Sequence, residues 1–231
     1  MDWQSINEID RELLYVFNGS DSLFFDSLIA TLTNGWVWLP LYAGLLYVVA
    51  KNNTAQQVML TVGAVAVCML ISEGMAEGIV KPLVARPRPL NDPVYGHLID
   101  TVPGVVSSDF SFFSAHSSNT CSIAVFFALL IRKRTFSLMM IGWSLFNGYS
   151  RLYLGMHYPF DVVTGLLWGL LTGALVYWVY YAIYKRISPK QNFISSQYTK
   201  TGYSLEDIDV AICLLLASVF FGLIVALVTI L

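Results

Sequence analysis

Six long apolar runs constrain the fold of this chain more than any other feature of its sequence. About 20 helical residues cross the hydrocarbon core of a bilayer, and four of the runs reach that length. The third and fourth runs are shorter and are expected to form a tight helical hairpin. Since 56% of the 231 residues are hydrophobic, against ~45–50% in soluble domains, the sequence predicts an all-α membrane protein with a six-transmembrane-helix bundle. The predicted spans are 25–50, 57–80, 117–131, 136–149, 160–184 and 208–231.

The first 22 residues are of a different kind, because they are too polar to cross a membrane. Their apolar residues recur at helical spacing between acidic ones, a pattern typical of an amphipathic helix on the membrane surface. The segment has neither the positive leader nor the cleavage site of a signal peptide, so we expect it to remain in the mature protein. Residues 1–231 are expected to form one membrane-embedded domain, with 1–22 as its interfacial segment.

Charge and cysteine content exclude several classes of function. The net charge of −2 is too small to indicate a nucleic-acid partner. Cys68, Cys121 and Cys213 lie inside apolar runs, without the short spacings of a zinc site or a redox pair. The sequence therefore indicates no metal and no cofactor, and it gives no sign of an obligatory protein partner.

The basic residues outside the spans predict the orientation of the bundle. Eight of them fall on one side of a six-span arrangement and five on the other. Because short loops rich in Lys and Arg stay cytoplasmic, we expect both termini to face the exterior of a bacterial-type inner membrane. The inside set is Lys51, Arg132, Lys133, Arg134, Lys185, Arg186, Lys190 and Lys200, and the outside set is Arg11, Lys81, Arg86, Arg88 and Arg151.

Three polar segments then share the outer face of the bundle. They are residues 81–89 (KPLVARPRP), 114–116 (SAH) and 150–161 (SRLYLGMHYPFD). Charged side chains at the end of a membrane bundle are costly unless they serve a function, such as binding a ligand. The convergence of Lys, Arg and His on one face therefore predicts a site for an anion.

The spacing within these segments resembles the type 2 phosphatidic acid phosphatase family, whose motifs are K-x6-R-P, P-S-G-H and S-R-x5-H-x3-D. Residues 81–89 match the first motif, and residues 150–161 match the third in full. The second motif departs from the family, with Phe113 in place of proline and Ala115 in place of glycine. The resemblance implies a membrane phosphatase that acts on lipid phosphates without a metal.

The chemistry of phosphate transfer accounts for the cations in these motifs. A transferring phosphoryl group needs positive charge around its three equatorial oxygens. Lys81, Arg88 and Arg151 supply that charge, and arginine suits bidentate contacts with phosphate. A predicted helix begins at Ala115, and the free backbone N–H groups at its N-terminus favour a bound anion. The Ser114 hydroxyl is a further hydrogen-bond donor.

His157 is the predicted nucleophile of this site. Pro159 fits the first turn of a helix, which places Asp161 one turn beyond His157. Asp161 is expected to accept a hydrogen bond from one ring nitrogen, so that the other attacks phosphorus and forms a phosphohistidine. His116 is expected to protonate the leaving oxygen and later to activate water.

Two carboxylates in the second span are expected to support the site, because an unpaired carboxylate is costly in a membrane. Glu73, Glu77 and Lys81 step by four residues, so we expect them to share one helix face. Glu77 is predicted to pair with Lys81 and to aim it, while Glu73 reaches a polar group on a neighbouring helix. Ser150, in the third motif, is a further supporting residue.

Arg86 and His97 lie in the outer loops without an assigned role. A lone arginine at a membrane interface usually serves as an anchor, and we interpret Arg86 in that way. His97 matches no motif, so we expect it to be structural.

The sequence favours an integral membrane lipid phosphatase but leaves its substrate open. The resemblance favours undecaprenyl diphosphate or lipid A phosphate, with phosphatidylglycerol phosphate and phosphatidic acid as other family substrates. Lipid phosphotransferases share the same motifs, as do soluble vanadate-binding haloperoxidases. A non-enzymatic transporter or scaffold is the other alternative, but transporters place polar residues near the bilayer midplane and these residues cluster at one face.

Overall fold

The computed structural model of the protein describes residues 3–102, 110–188 and 196–231, with side chains from residue 7 onward. It confirms the all-helical prediction, since no strand occurs in these ranges beyond two isolated β-bridges. Residues 1 and 2 of the interfacial segment and Lys190 lie outside the described residues. The helices are α1 Trp3–Phe17, α2 Leu23–Leu32, α3 Leu39–Asn52, α4 Ala55–Glu73, α5 Lys81–Val84, α6 Ala115–Ile131, α7 Arg134–Tyr153, α8 Pro159–Ile187 and α9 Leu205–Thr229.

Three helical stretches are long and apolar enough to cross a membrane: Ala55–Val84, Pro159–Ile187 and Leu205–Thr229. A fourth span results if Leu23–Leu32 and Gly35–Asn52 count as one, although they are bent by 65° at their break. Helix α6 is apolar but only 17 residues long. The chain is therefore a multi-pass membrane protein, and the count of six spans stays a prediction.

Helix α7 is not apolar enough to be recognised as a span, and its packing gives the reason. Ser144, Asn147, Ser150 and Arg151 all lie on α7 and are buried. The Asn147 side chain donates a hydrogen bond to the Trp143 carbonyl oxygen at 2.8 Å. These four polar side chains of α7 thus lie inside the bundle and not on a surface that faces lipid.

A stripe of three glycines on α8 lets α6 pack against it at very short range. The glycines recur every four residues, so they share one face of α8. Small residues at such spacing allow helix backbones to approach closely in membrane proteins. Ideal Cβ atoms at Gly165, Gly169 and Gly173 would lie 2.5, 2.4 and 2.5 Å from the carbonyl oxygens of Ser114, Ser118 and Ser122. The backbones of α6 and α8 are therefore fixed relative to each other along this whole contact.

Helix α1 packs across the end of the bundle that carries the three motifs, which we call the motif end. Its Leu14 is 1% exposed and packs with Ile99, Leu152 and Tyr158. The predicted helix in this segment is present. Its place on the membrane surface stays a prediction.

Candidate active site

Backbone contacts bring the three motifs together at the motif end. The residues before Arg88 pair with the residues before Ser114, since the Ser111 N–H donates to the Arg86 carbonyl oxygen at 2.9 Å. The Ser114 N–H in turn donates to the carbonyl oxygen of Asp161 at 3.0 Å. The start of α6 is thereby held on the first turn of α8, beside the glycine stripe.

The three predicted cations converge in this region, and all of them are buried. Lys81, Arg88 and Arg151 are 4%, 7% and 6% exposed. Each interacts electrostatically with the side chain of His116, as does His157. Buried like charges are unfavourable unless an anion or fixed dipoles compensate them, so this cluster is suited to binding a multiply charged anion.

Glu73 and Glu77 make the contacts that the sequence predicts. The Lys81 ammonium donates to the Glu77 carboxylate, and the Asn119 amide of α6 donates to Glu73. Between Glu73 and Lys81 the chain forms a π-helical segment, Gly74–Val80, that no sequence pattern indicated. Such wider turns often occur at functional sites.

Arg151 has a partner that sequence analysis missed, at the break between α2 and α3. Its NH2 nitrogen donates to Thr33, at 2.6 Å to the hydroxyl oxygen and 3.1 Å to the carbonyl oxygen. The Ser150 hydroxyl lies 3.1 Å from the same Thr33 hydroxyl. The bend between α2 and α3 thus presents two acceptor atoms of Thr33 that hold the Arg151 guanidinium. The Nε atom of Arg151 has no hydrogen-bond partner.

His157 lies in the short loop between α7 and α8 and is 4% exposed. The loop turns at Gly155, whose φ of +62° disfavours any residue with a side chain. Burial lowers the pKa of His157 to about 4, and the positive charges of Arg88 and Lys81 act in the same direction against the opposing effect of Asp161. The imidazole is therefore neutral at pH 7, as a nucleophile must be.

The predicted hydrogen bond between His157 and Asp161 is not formed at the observed distance. Nδ1 of His157 lies 3.7 Å from Oδ2 of Asp161. Both carboxylate oxygens already have donors, because the Tyr158 N–H caps α8 through Oδ2 at 2.9 Å and Arg86 contacts Oδ1 at 2.9 Å. Asp161 therefore acts on His157 as a nearby negative charge, and Nδ1 is the nitrogen that faces it.

The interpretation of Arg86 as an interface anchor is wrong. Its guanidinium lies between two carboxylates, with NH1 2.9 Å from Asp161 and NH2 2.7 Å from Asp10, and its side chain is 12% exposed. It also stacks on the Tyr158 ring, 3.8 Å from the ring centroid. No local pattern indicates this pairing, because Asp10 lies on α1 and is distant in the chain.

The two departures from the second motif are accommodated at the start of α6. Ser114 is the N-cap residue, and its hydroxyl accepts a hydrogen bond from the Ser117 hydroxyl at 3.0 Å. Ala115 is the first helical residue, and positive φ is found at only two described non-glycine residues, neither of them Ala115. Its methyl group packs in a small cluster with Ala76 and Phe113. No glycine is needed here for backbone conformation.

His116 is exposed, whereas the other predicted catalytic and phosphate-binding residues are buried. It lies in the first turn of α6, and its side chain is open to an incoming molecule, whereas the three cations that act on it are buried. His97 is exposed in a separate loop and has no contact with these residues among the hydrogen bonds and ion pairs of the described ranges. Within those ranges, no group of three or more His, Cys, Asp or Glu side chains is arranged to hold a metal ion.

The chain is similar in sequence to known phosphatases over most of its length. Residues 58–185 match the PAP2 superfamily. The chain is 35% identical over 184 residues to a lipid A 4'-phosphatase of Bacteroides thetaiotaomicron, covering 79% of this chain and 81% of that protein. It is 28% identical over 180 residues to the lipid A 4'-phosphatase of Porphyromonas gingivalis, with 76% and 74% covered.

The fold is similar to that of a solved membrane phosphatase. The crystal structure of a transmembrane PAP2-type phosphatidylglycerolphosphate phosphatase from Bacillus subtilis matches with a TM-score of 0.59. The match covers 81% of this chain and 90% of that one, at 20% identity. At that identity the likeness concerns the fold alone.

Proposed function

This chain belongs to the PAP2 superfamily, and we propose that it is a lipid A 4'-phosphatase that works through a phosphohistidine. It is a membrane lipid phosphatase, a hydrolase. The observation that carries the narrower proposal is the 35% identity to a lipid A 4'-phosphatase over 81% of that relative's length. The buried cations around an open histidine support the same reaction, because they suit a phosphate on a headgroup that reaches the site from one side.

The reaction would begin with the phosphate among Lys81, Arg88 and Arg151. Nε2 of neutral His157 attacks phosphorus, since Nδ1 faces Asp161. As the N–P bond forms, the P–O bond to the lipid breaks. His116 donates a proton to the leaving oxygen, because the negative charge of the bound phosphate stabilises its protonated form against the surrounding cations. The three cations neutralise the charge that spreads over the equatorial oxygens.

The second half of the reaction returns the enzyme to its starting state. The lipid alcohol leaves, and water takes its place beside His116, which is now neutral. His116 accepts a proton from that water as its oxygen attacks phosphorus and the N–P bond breaks. Inorganic phosphate is released, His157 is neutral again and His116 carries the proton.

The topology that fits this function has six spans and places the motif end outside the cytoplasm. In this arrangement α6 and α7 each cross the membrane, and their polar residues line the bundle interior. Helix α1 lies at the outer surface of the inner membrane, and residues 1–231 form one domain. A reporter active only outside the cytoplasm should be active after Leu231 and inactive near Lys190. The reverse pattern would place the site in the cytoplasm.

Purified protein in detergent micelles provides the test of function. We expect release of inorganic phosphate from lipid A, and mass spectrometry of the lipid product should show loss of the 4' phosphate with the 1 phosphate retained. Undecaprenyl diphosphate and phosphatidylglycerol phosphate, presented in the same micelles, should be hydrolysed more slowly. Loss of the 1 phosphate, or a preference for either other lipid, would overturn the substrate assignment.

A further inference from the structure

Helix α1 contributes a buried charge to the surroundings of the active site. Asp10 is 0% exposed, and its Oδ1 accepts a hydrogen bond from the Phe160 N–H at 2.8 Å. Its Oδ2 lies 2.7 Å from NH2 of Arg86. Burial raises the pKa of Asp10, whereas the Phe160 N–H and the positive charge of Arg86 oppose that rise. These two contacts favour the ionised form.

Arg86 connects this carboxylate to Asp161. A single guanidinium lies between the two carboxylates, with NH2 on Asp10 and NH1 on Asp161. With Asp10 ionised, the three side chains carry a net charge of −1, the sum of two negative charges and one positive. Without the charge of Asp10 the sum is zero, and Arg86 would cancel the charge of Asp161.

The net charge is important because His157 becomes positively charged during the reaction. When one ring nitrogen attacks phosphorus, the ring gains positive character, and a negative charge beside Nδ1 stabilises that state. We propose that Asp10 is a positioning residue for catalysis, an inference that rests on the proposed function. Through Arg86 it keeps Asp161 effective as the counter-charge of His157.

The other groups that face His157 and Asp161 make this counter-charge more important. Lys81 and Arg88 carry positive charge near the imidazole, so they oppose positive charge on the ring. Asp161 lies 3.7 Å from Nδ1 of His157, and Asp10 is joined to Asp161 through Arg86. The facing groups are Lys81 from α5, Arg86, Arg88 and Tyr158 from the loops, His116 from α6, Arg151 from α7 and Asp10 from α1.

The test removes the negative charge of Asp10 while retaining the shape of its side chain. Asp10→Asn should lower kcat about tenfold, the effect of one charge that shifts a neighbouring pKa by about one unit, and should leave KM for lipid A within about twofold. The acid limb of the kcat profile should move to lower pH, because loss of a negative charge disfavours protonated His157. The double variant Asp10→Asn with Arg86→Gln restores the net charge of −1, so it should recover most of the lost rate.

Arg11→Gln provides the matched control on the next residue of α1. Arg11 is held by Asp92 at 2.8 Å, so this change loosens α1 without altering the charge at Asp161. If Asp10 only docks α1, Arg11→Gln will lower kcat as much as Asp10→Asn, and the double variant will be the slowest. Either result overturns the proposal, as does an unchanged kcat in Asp10→Asn. Failure of the proposed function is distinct, because the wild type itself would then release no phosphate from lipid A.

Discussion

The contact between α6 and α8 sets the distance between the two predicted catalytic histidines, and Gly165→Ala tests this directly. Gly165 lies on the first turns of α8, four residues after Asp161. A Cβ at this position would lie 2.5 Å from the Ser114 carbonyl oxygen and 3.2 Å from the Ser117 Cβ. Ser114 is the N-cap of α6, so the added methyl group would displace the helix end that carries His116.

The size of the displacement follows from contact distances. Carbon and carbonyl oxygen atoms approach to about 3.3 Å, so the two helix ends must separate by roughly 0.8 Å. The backbone atom cannot rotate away as a side chain would. Overpacking of this kind costs about 1–3 kcal/mol of stability. A misplacement near 1 Å between reacting groups costs on the order of 100-fold in rate, so kcat/KM should fall by about that factor.

Two other glycines provide the controls for this variant. Gly173→Ala makes the same clash, 2.5 Å from the Ser122 carbonyl oxygen, but about 12 Å farther along α8. It should cost similar stability while kcat/KM falls less than about fivefold. Gly63→Ala on α4 meets no atom within 4 Å, so it should leave both quantities unchanged or raise stability by up to about 1 kcal/mol.

The assay combines phosphate release from lipid A in detergent with thermal unfolding of the same samples. The reasoning predicts that Gly165→Ala and Gly173→Ala have similar Tm values and very different kcat/KM. Equal activity in these two variants would refute it. In that case the spacing of the histidines does not depend on the local approach of α6 to α8.

The remaining predictions concern individual site residues. His157→Gln should abolish turnover and prevent formation of a phosphoprotein intermediate in rapid-quench experiments; turnover near wild type would exclude the phosphohistidine. Because the pKa of His157 falls from an unfolded value of ~6.5 to about 4 on folding, its contribution to stability is complete above pH 6.5 and is lost as the pH falls to 4. Wild type should therefore lose about 3 kcal/mol more than His157→Gln over this interval in pH-dependent unfolding, and parallel curves would contradict the burial of a neutral imidazole. Ala115→Gly should retain activity and competitive inhibition by vanadate but lower Tm, because its methyl group packs with Ala76 and Phe113; catalysis insensitive to vanadate in both proteins would count against the proposed cation cluster.

Local patterns in the sequence predicted most of the helices and the meeting of the motifs. The spacing of Glu73, Glu77 and Lys81 was sufficient to predict both carboxylate contacts, because residues four apart on a helix share a face. Pro159 likewise marked the start of α8 and placed Asp161 in its first turn. In these cases the information lies within one helix or at its end.

Local sequence patterns could not predict contacts between segments that are distant in the chain. Thr33 meets Arg151 only because the chain breaks between α2 and α3. The dipeptide Asn34-Gly35 is a turn signal at this break, but it does not indicate which distant residue the freed groups contact. Arg86 was misinterpreted because its two carboxylate partners, Asp10 and Asp161, are each about 75 residues away from it in the chain. The consequence of replacing glycine by Ala115 also depended on the backbone angle at that position, which neighbouring residues do not determine.

The difference in exposure between the two histidines affects how this enzyme responds to chemical labelling. His157 is enclosed, whereas His116 is open at the start of α6. A histidine-directed acylating reagent should therefore reach His116 first and inactivate the enzyme by blocking proton transfer to the lipid oxygen. Protection by a bound headgroup would then report occupancy of the entrance, while the nucleophile remained unlabelled. Inactivation followed by peptide mapping would identify the acid of the reaction, and the covalent intermediate would have to be found through the phosphate itself.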